Sequence, residues 1–114
     1  MSARKKFAVP VANGSLTVHF GHCEKFAVIE TENGSVVRVD YLVPPMHQPG
    51  VYPGFLADHG VDVIITGGMG MRAQNLFALN NIEVCVGVPD GSPRELVEQY
   101  LHGRLRSGDN LCDH

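Results

Sequence analysis

The chain has 114 residues, of which 44% are apolar, and its formal charge is −3 from nine basic and twelve acidic side chains. This length suits one domain with a single core, and the apolar fraction is too high for a disordered chain. A mildly acidic protein lacks the basic surface that binding to a nucleic-acid backbone or an anionic membrane requires. We therefore expect neither nucleic acid nor a membrane as a partner.

The amino-terminal segment does not predict export. Residues 1–6 are basic and precede an apolar run, but Pro10 and Asn13-Gly14 end that run before it reaches the length of a signal-peptide hydrophobic region. No other run is long enough to cross a bilayer. The three cysteines are an odd number and do not indicate a disulfide framework. We expect a cytoplasmic protein with free thiols.

The first half of the chain predicts a meander of three antiparallel strands. Asn33-Gly34 separates the last two strands, and Asn-Gly favours the positive φ angles of a type I′ hairpin turn. Counting outward from this turn pairs Val28 with Val39 and Phe26 with Tyr41 on one face. The three runs lie at residues 7–11, 25–31 and 36–43.

The second half alternates helices with buried strands after a proline-rich loop at residues 44–54. The predicted elements are a helix at 54–59, a strand at 61–66, a helix at about 71–80, a strand at 82–88 and a helix from Ser92 to Gly103. Strands joined through helices are parallel, and the helices cover the sheet faces. We predict one three-layer α/β/α domain over residues 1–114. It has a mixed five-stranded sheet, a core at about 7–103 and a polar tail at 104–114.

Three side chains that bind transition metals occur within five residues of the chain. The segment is His19-Phe20-Gly21-His22-Cys23. Imidazole and thiolate bind transition metals and iron–sulfur species near neutral pH. No Cys-x-x-Cys pair supports a metal site here, so an edge loop with exposed histidines and an inert cysteine is an equal alternative on spacing alone.

The last three residues, Cys112-Asp113-His114, repeat this chemistry. Taken alone, they indicate an unstructured chain end. Taken with His22 and Cys23, they complete a set of two thiolates and two imidazoles, which suits a four-coordinate metal site. We therefore predict that Cys112 and His114 act together with Cys23.

The run Gly67-Gly68-Met69-Gly70 follows a buried strand and precedes a helix. Ligands bind at such positions in open α/β sheets, and the N–H groups of the helix start favour an anion. The run is neither a dinucleotide fingerprint nor a P-loop, so a tight turn that needs small residues is an equal alternative. We expect Met69 and Met71 to serve packing.

The other candidate residues carry weaker signals. We expect His47 to be exposed in its loop, Cys85 to lie in the core, and His59 and His102 to be structural near helix ends. No Gly-x-Ser-x-Gly, His-Glu-x-x-His or catalytic Asp pair occurs. A Cys–His pair at Cys23 is the one nucleophilic arrangement that the sequence allows. We predict that the protein is not an enzyme.

The chain resembles the dinitrogenase iron–molybdenum cofactor biosynthesis family, with its NifX-like and NafY-core-like domains. The landmarks are residues 7–14 (FAVPVANG), residues 19–23 (HFGHC), residues 60–70 (GVDVIITGGMG) and residues 82–84 (IEV). The resemblance implies a ribonuclease H-like fold and the carriage or insertion of an iron–sulfur cofactor or an iron–molybdenum cofactor precursor. It also implies that His19, Phe20 and Gly21 contact the cofactor, and that the partners are proteins that donate or accept the cluster.

Three hypotheses follow for the function. The first is a metallocluster-binding accessory protein, held as a monomer or a weak homo-oligomer. The second is a protein-interaction or regulatory module with a structural zinc or no metal. The third is a small enzyme that uses Cys23.

Overall fold

Six strands and three helices form the part of the chain that the computed structural model describes, namely residues 4–12, 15–16, 25–43, 51–88 and 91–103. In chain order they are β1 (Arg4–Ala12), β2 (Ser15–Leu16), β3 (Lys25–Glu32), β4 (Ser35–Leu42), α1 (Tyr52–Asp58), β5 (Val63–Ile65), α2 (Met71–Leu79), β6 (Glu83–Cys85) and α3 (Pro93–Leu101). None of these helices is long and apolar enough to cross a membrane.

The strands form one mixed sheet in the order β4-β3-β1-β5-β6, and the short β2 pairs with β1. Strands β1, β5 and β6 are parallel, whereas β3 is antiparallel to both of its neighbours. The predicted α/β fold with a five-stranded mixed sheet and three helices is therefore confirmed. The extra strand β2 is only two residues long.

A separate hydrophobic cluster covers each face of the sheet because strand side chains alternate between the faces. Ala8 and Ile64 face α1 and α2, where Leu56 and Phe77 are also buried. The neighbouring strand residues face α3. This second cluster contains Phe7, Val9, Ile29, Val63, Leu96 and Val97. Helices on both faces are consistent with the predicted three-layer arrangement.

The hairpin turn is where the sequence predicts it, but the predicted register is wrong. Asn33 and Gly34 have positive φ angles of 53° and 81°, as a type I′ turn requires. A β-bulge then shifts the pairing, because Thr31 pairs with Val36 while Glu30 pairs with Arg38. Beyond the bulge, the pairs are Phe26 with Leu42, Ala27 with Tyr41, Val28 with Asp40 and Ile29 with Val39.

The helix ends follow local signals, with one boundary misplaced. Helix α1 begins at Tyr52 rather than at residue 54, because Pro53 suits the first turn of a helix. The predicted stop at Gly60 has a positive φ of 78°, and its N–H donates to the carbonyl of Ala57. Regular pairing in β5 and β6 covers only three residues each, so both strands are shorter than predicted.

Candidate functional site

The two residues that flank the predicted ligand segment pair with the same residue of β1. Leu16, the last residue of β2, pairs with Val11, and so does Lys25, the first residue of β3. Leu16 and Lys25 therefore flank the same residue of β1 from its two sides. The predicted contacts His19, Phe20, Gly21, His22 and Cys23 lie outside the described residues, as do Cys112 and His114.

The glycine-rich loop (residues 67–70) connects β5 to α2, and hydrogen bonds fix its backbone. The N–H of Gly87 donates to the carbonyl of Gly67 at 2.9 Å, and the side-chain amide of Gln74 donates to the carbonyl of Met69 at 2.9 Å. Met69 is fully buried, so the packing role predicted for it is confirmed. Met71 is 56% exposed, so the same prediction was wrong for Met71.

The first turn of α2 is electropositive. Gly70 is the N-cap and has no side chain to accept a hydrogen bond from the first helical N–H groups, which lack intrahelical partners. The first turn contains no acidic residue, and the exposed Arg72 lies within it. The helix dipole and this guanidinium therefore favour an anion here. Arg72 was not predicted from the sequence, although its position two residues after the glycine-rich loop was the available signal.

Both features lie at the edge of the sheet where the parallel strands β1, β5 and β6 end, which we call the carboxyl edge. The glycine-rich loop follows Ile65 at the end of β5. Val11, to which Leu16 and Lys25 are paired, lies at the end of the adjacent strand β1. Ligands in open α/β sheets bind at this edge.

Helix α3 ends at the opposite edge, where the parallel strands begin. Near its last turn, the ring of Tyr100 packs against Phe7 with the ring centroids 5.0 Å apart. Cys112 lies nine residues after Gly103, the last described residue of the chain. Nine extended residues span at most about 30 Å. A site that combines Cys112 with Cys23 therefore requires the tail to run back along the length of β1.

Cys85 is the one cysteine within the described residues, and its thiol is not activated. Burial, together with the negative charge of Glu83, raises the pKa of Cys85 to about 11, although the positive charge of Lys5 opposes this. Its side chain is partly buried and packs against the cluster under α3, as expected for a core residue. The thiol is protonated near neutral pH and is therefore a poor metal ligand.

The remaining histidines do not form a metal site in the described ranges. His59 and His102 are the C-cap residues of α1 and α3, as predicted, and Nδ1 of His59 lies 2.8 Å from the carbonyl oxygen of Phe55. His47 lies outside the described residues. Within residues 4–12, 15–16, 25–43, 51–88 and 91–103, no group of three or more His, Cys, Asp or Glu side chains could hold a metal ion.

A cavity of about 350 Å³, which was not predicted from the sequence, lies at the amino ends of the parallel strands. The basic run at residues 4–6 was the available signal. Ion pairs neutralise its walls, since Lys6 lies 3.2 Å from Glu30 and Arg4 lies 3.7 Å from Glu32. This cavity is at the opposite end of β1 from the glycine-rich loop and is not part of the candidate site.

Comparisons with known proteins agree with the fold and show the family. The family model described as dinitrogenase iron-molybdenum cofactor matches residues 3–103. An uncharacterized protein of Methanocaldococcus jannaschii is 33% identical over 105 residues, which cover 88% of each chain. The crystal structure of the protein PH0822 superposes with a TM-score of 0.85 at 26% identity, covering 96% of this chain and 99% of that one.

A further solved structure shares the fold at lower sequence identity. The apo form of the orange protein from Desulfovibrio gigas superposes with a TM-score of 0.73 at 19% identity. The superposition covers 93% of this chain and 94% of that one.

Proposed function

The chain belongs to the dinitrogenase iron-molybdenum cofactor family, and we propose that it binds and carries an anionic iron–sulfur-type metallocluster at the carboxyl edge. The cargo is an iron–sulfur cluster or an iron–molybdenum cofactor precursor. The protein acts as an accessory protein that receives the cluster from one protein and passes it to another, without catalysing a reaction itself.

The observation that carries this proposal is the position of the glycine-rich loop. The uncapped first turn of α2, with Arg72 in it and no acidic residue, provides a positive potential. This turn shares the carboxyl edge with Leu16 and Lys25, between which the predicted soft ligands occur. Clusters with sulfide and thiolate ligands carry net negative charge, so a positive helix start complements them.

The proposed ligands come from the segment between Leu16 and Lys25. His19, His22 and Cys23 supply imidazole and thiolate, which are the preferred ligands of iron and iron–sulfur species. Phe20 and Gly21 lie between them in the chain and are proposed to line the same site. The residues on either side of this segment, Leu16 and Lys25, both pair with Val11, which supports a site near the carboxyl edge.

Cys112 and His114 are proposed as further ligands that close over the bound cluster. Because α3 ends at the opposite edge of the sheet, these two residues reach the site only if residues 104–114 run back towards the carboxyl edge.

The first experiment is reconstitution without oxygen. The purified protein is supplied with iron and sulfide, and the visible absorption spectrum is recorded for the wild type, Cys23→Ser and the double variant Cys23→Ser/His19→Ala. We expect sulfur-to-iron charge-transfer bands in the wild type and their loss in both variants. Cys85→Ala is the matched control, because Cys85 is a protonated, partly buried thiol, and it retains the bands.

Two outcomes would contradict the proposal. A colourless wild-type protein that retains only zinc would support a structural metal in place of a carried cluster. Bands that survive in the double variant would show that the ligand segment was assigned wrongly.

A further inference from the structure

Strand β4 forms one outer edge of the sheet. Within the part of the chain that the structure describes, β4 pairs with β3 on one side and no strand pairs with its other side. Three apolar side chains on or next to this strand are exposed, since Val37, Tyr41 and Val43 have relative exposures of 59%, 55% and 69%. An exposed edge strand eight residues long is a template on which another strand can pair.

The charges on β4 flank a single residue. Arg38 and Asp40 are on either side of Val39, and because strand residues two apart share a face, both point to the face that α1 and α2 cover. Arg38 Nε lies 2.6 Å from Asp40 Oδ2, and the two side chains are 65% and 48% exposed. The strand therefore presents one positive and one negative charge symmetrically about Val39.

We propose that β4 pairs antiparallel with β4 of a second copy of this chain, about a two-fold axis beside Val39. In this register Arg38 lies opposite Asp40 of the second copy, and Asp40 lies opposite Arg38 of the second copy. Opposite charges directly across two antiparallel strands stabilise the pairing. The same contact appears twice, as a two-fold interface requires.

The charges select this register from its neighbours. A two-fold axis perpendicular to the sheet leaves each side chain on the same face of the sheet, so residues directly opposite each other are an even number of positions apart. One residue therefore always lies opposite the same residue of the second copy. Moving the axis to Arg38 places two guanidinium groups opposite each other, and moving it to Asp40 places two carboxylates opposite each other. Like charges directly opposite destabilise a strand pair, so the axis beside Val39 is the favoured one.

The exposed apolar side chains support the same partner. In this register the bulge residue Val37 and Tyr41 of the second copy are brought into one contact, again twice. Edge charges and bulges usually prevent pairing with foreign strands. Here the charges of two copies attract each other in the register about Val39 and repel each other in the two neighbouring registers. The bulge limits regular pairing to a few residues, so the dimer is weak. The contact contains none of the proposed cluster ligands, so the dimer forms without any metal cluster.

The test is sedimentation of the metal-free protein over a wide range of concentrations. We expect a monomer–dimer equilibrium for the wild type. Arg38→Glu and Asp40→Lys each place like charges opposite each other at both ends of the contact, and each raises the dimer dissociation constant by about tenfold or more. Both positions are well exposed, so the variants are expected to fold.

Mixing the two variants separates an effect between copies from an effect within one chain. In the mixed dimer, the Arg38→Glu position of one copy faces the Asp40→Lys position of the other with opposite charges, and the second contact is the native pair of Asp40 with Arg38. An equimolar mixture therefore regains the wild-type dissociation constant. The matched control is Arg94→Glu, which breaks an exposed ion pair with Glu98 on α3, 3.2 Å apart, and leaves dimerisation unchanged.

Three results would overturn the proposal. The first is a wild-type protein that stays monomeric at every concentration, which would leave the edge to a strand of another protein or to none. The second is a dimer that Arg38→Glu does not weaken more than Arg94→Glu does. The third is a mixture of the two charge variants that stays monomeric.

Discussion

Gly70 is the residue at which the charge of the candidate site can be changed without disturbing the fold. Its backbone is extended, with φ −62° and ψ 152°, and a Cβ placed there would have no atom within 4 Å. Gly70→Asp supplies an N-cap acceptor but adds a negative charge at the proposed anion site. We expect this variant to bind the cluster about tenfold more weakly, measured by titrating the reconstituted chromophore.

The matched control for this variant is Gly70→Asn, which has nearly the same size and also caps a helix but carries no charge. We expect it to bind the cluster like the wild type and to unfold at the same or higher denaturant concentration. Equal affinities for Gly70→Asp and Gly70→Asn would remove the glycine-rich loop from the proposed site.

The pKa of the Cys85 thiol reports on the electrostatics of the side chains packed under α3. In a variant without Cys23 and Cys112, Cys85 is the single thiol. We expect its alkylation rate to rise with a midpoint near pH 11, because burial and Glu83 raise its pKa to about 11. Glu83→Gln removes the second of these causes and shifts the midpoint to lower pH. A midpoint at the ordinary pKa of 9.0, unchanged by Glu83→Gln, would contradict this environment.

The same residue makes stability depend on pH in the alkaline range. The folded state favours the protonated thiol, so this contribution to stability is fully present below pH 9 and is lost as the pH rises towards 11. Tyr100 acts in the same direction, because its hydrogen bond to Glu83, followed by burial, raises its pKa to about 12. Both effects make the folded protein less stable in base.

At the scale of elements, the β3–β4 turn depends on one glycine. Gly34 has a φ of 81° and open space around it, so Gly34→Ala is opposed by backbone strain alone. We expect it to lower the free energy of unfolding by about 1–2 kcal/mol, measured by chemical denaturation. Gly54 in α1 also has open space but no positive φ. Gly54→Ala should leave stability unchanged or raise it by up to about 1 kcal/mol. Equal effects of the two substitutions would contradict this explanation.

The same hairpin shows what the sequence can and cannot predict. The turn could be predicted because positive φ angles are a local property of Asn33 and Gly34. The bulge at Val37 could not be predicted, because the sequence around it contains several valines and nothing in it distinguishes the extra residue from its neighbours. The predicted pairs were therefore one residue out of register, although both strands and the turn were located correctly.

At the scale of the whole molecule, the sequence located part of the candidate site. A glycine-rich run between a buried strand and a helix could be placed at a strand end from chain order alone. The sequence could not show that α3 ends at the edge where the parallel strands begin, because this depends on the direction in which α3 crosses the sheet. The Phe7–Tyr100 contact, between residues far apart in the chain, fixes this direction.

Paramagnetic broadening in the amide spectrum of the isotope-labelled, reconstituted protein tests directly whether a metallocluster binds at the carboxyl edge. Iron broadens the signals of nearby amides. We predict that the amides of Val11, Lys25 and the glycine-rich loop broaden, while those of Lys5 and Gly103 stay sharp. Broadening centred on Lys5 and Gly103, with an unaffected glycine-rich loop, would show that the cluster binds at the opposite edge of the sheet.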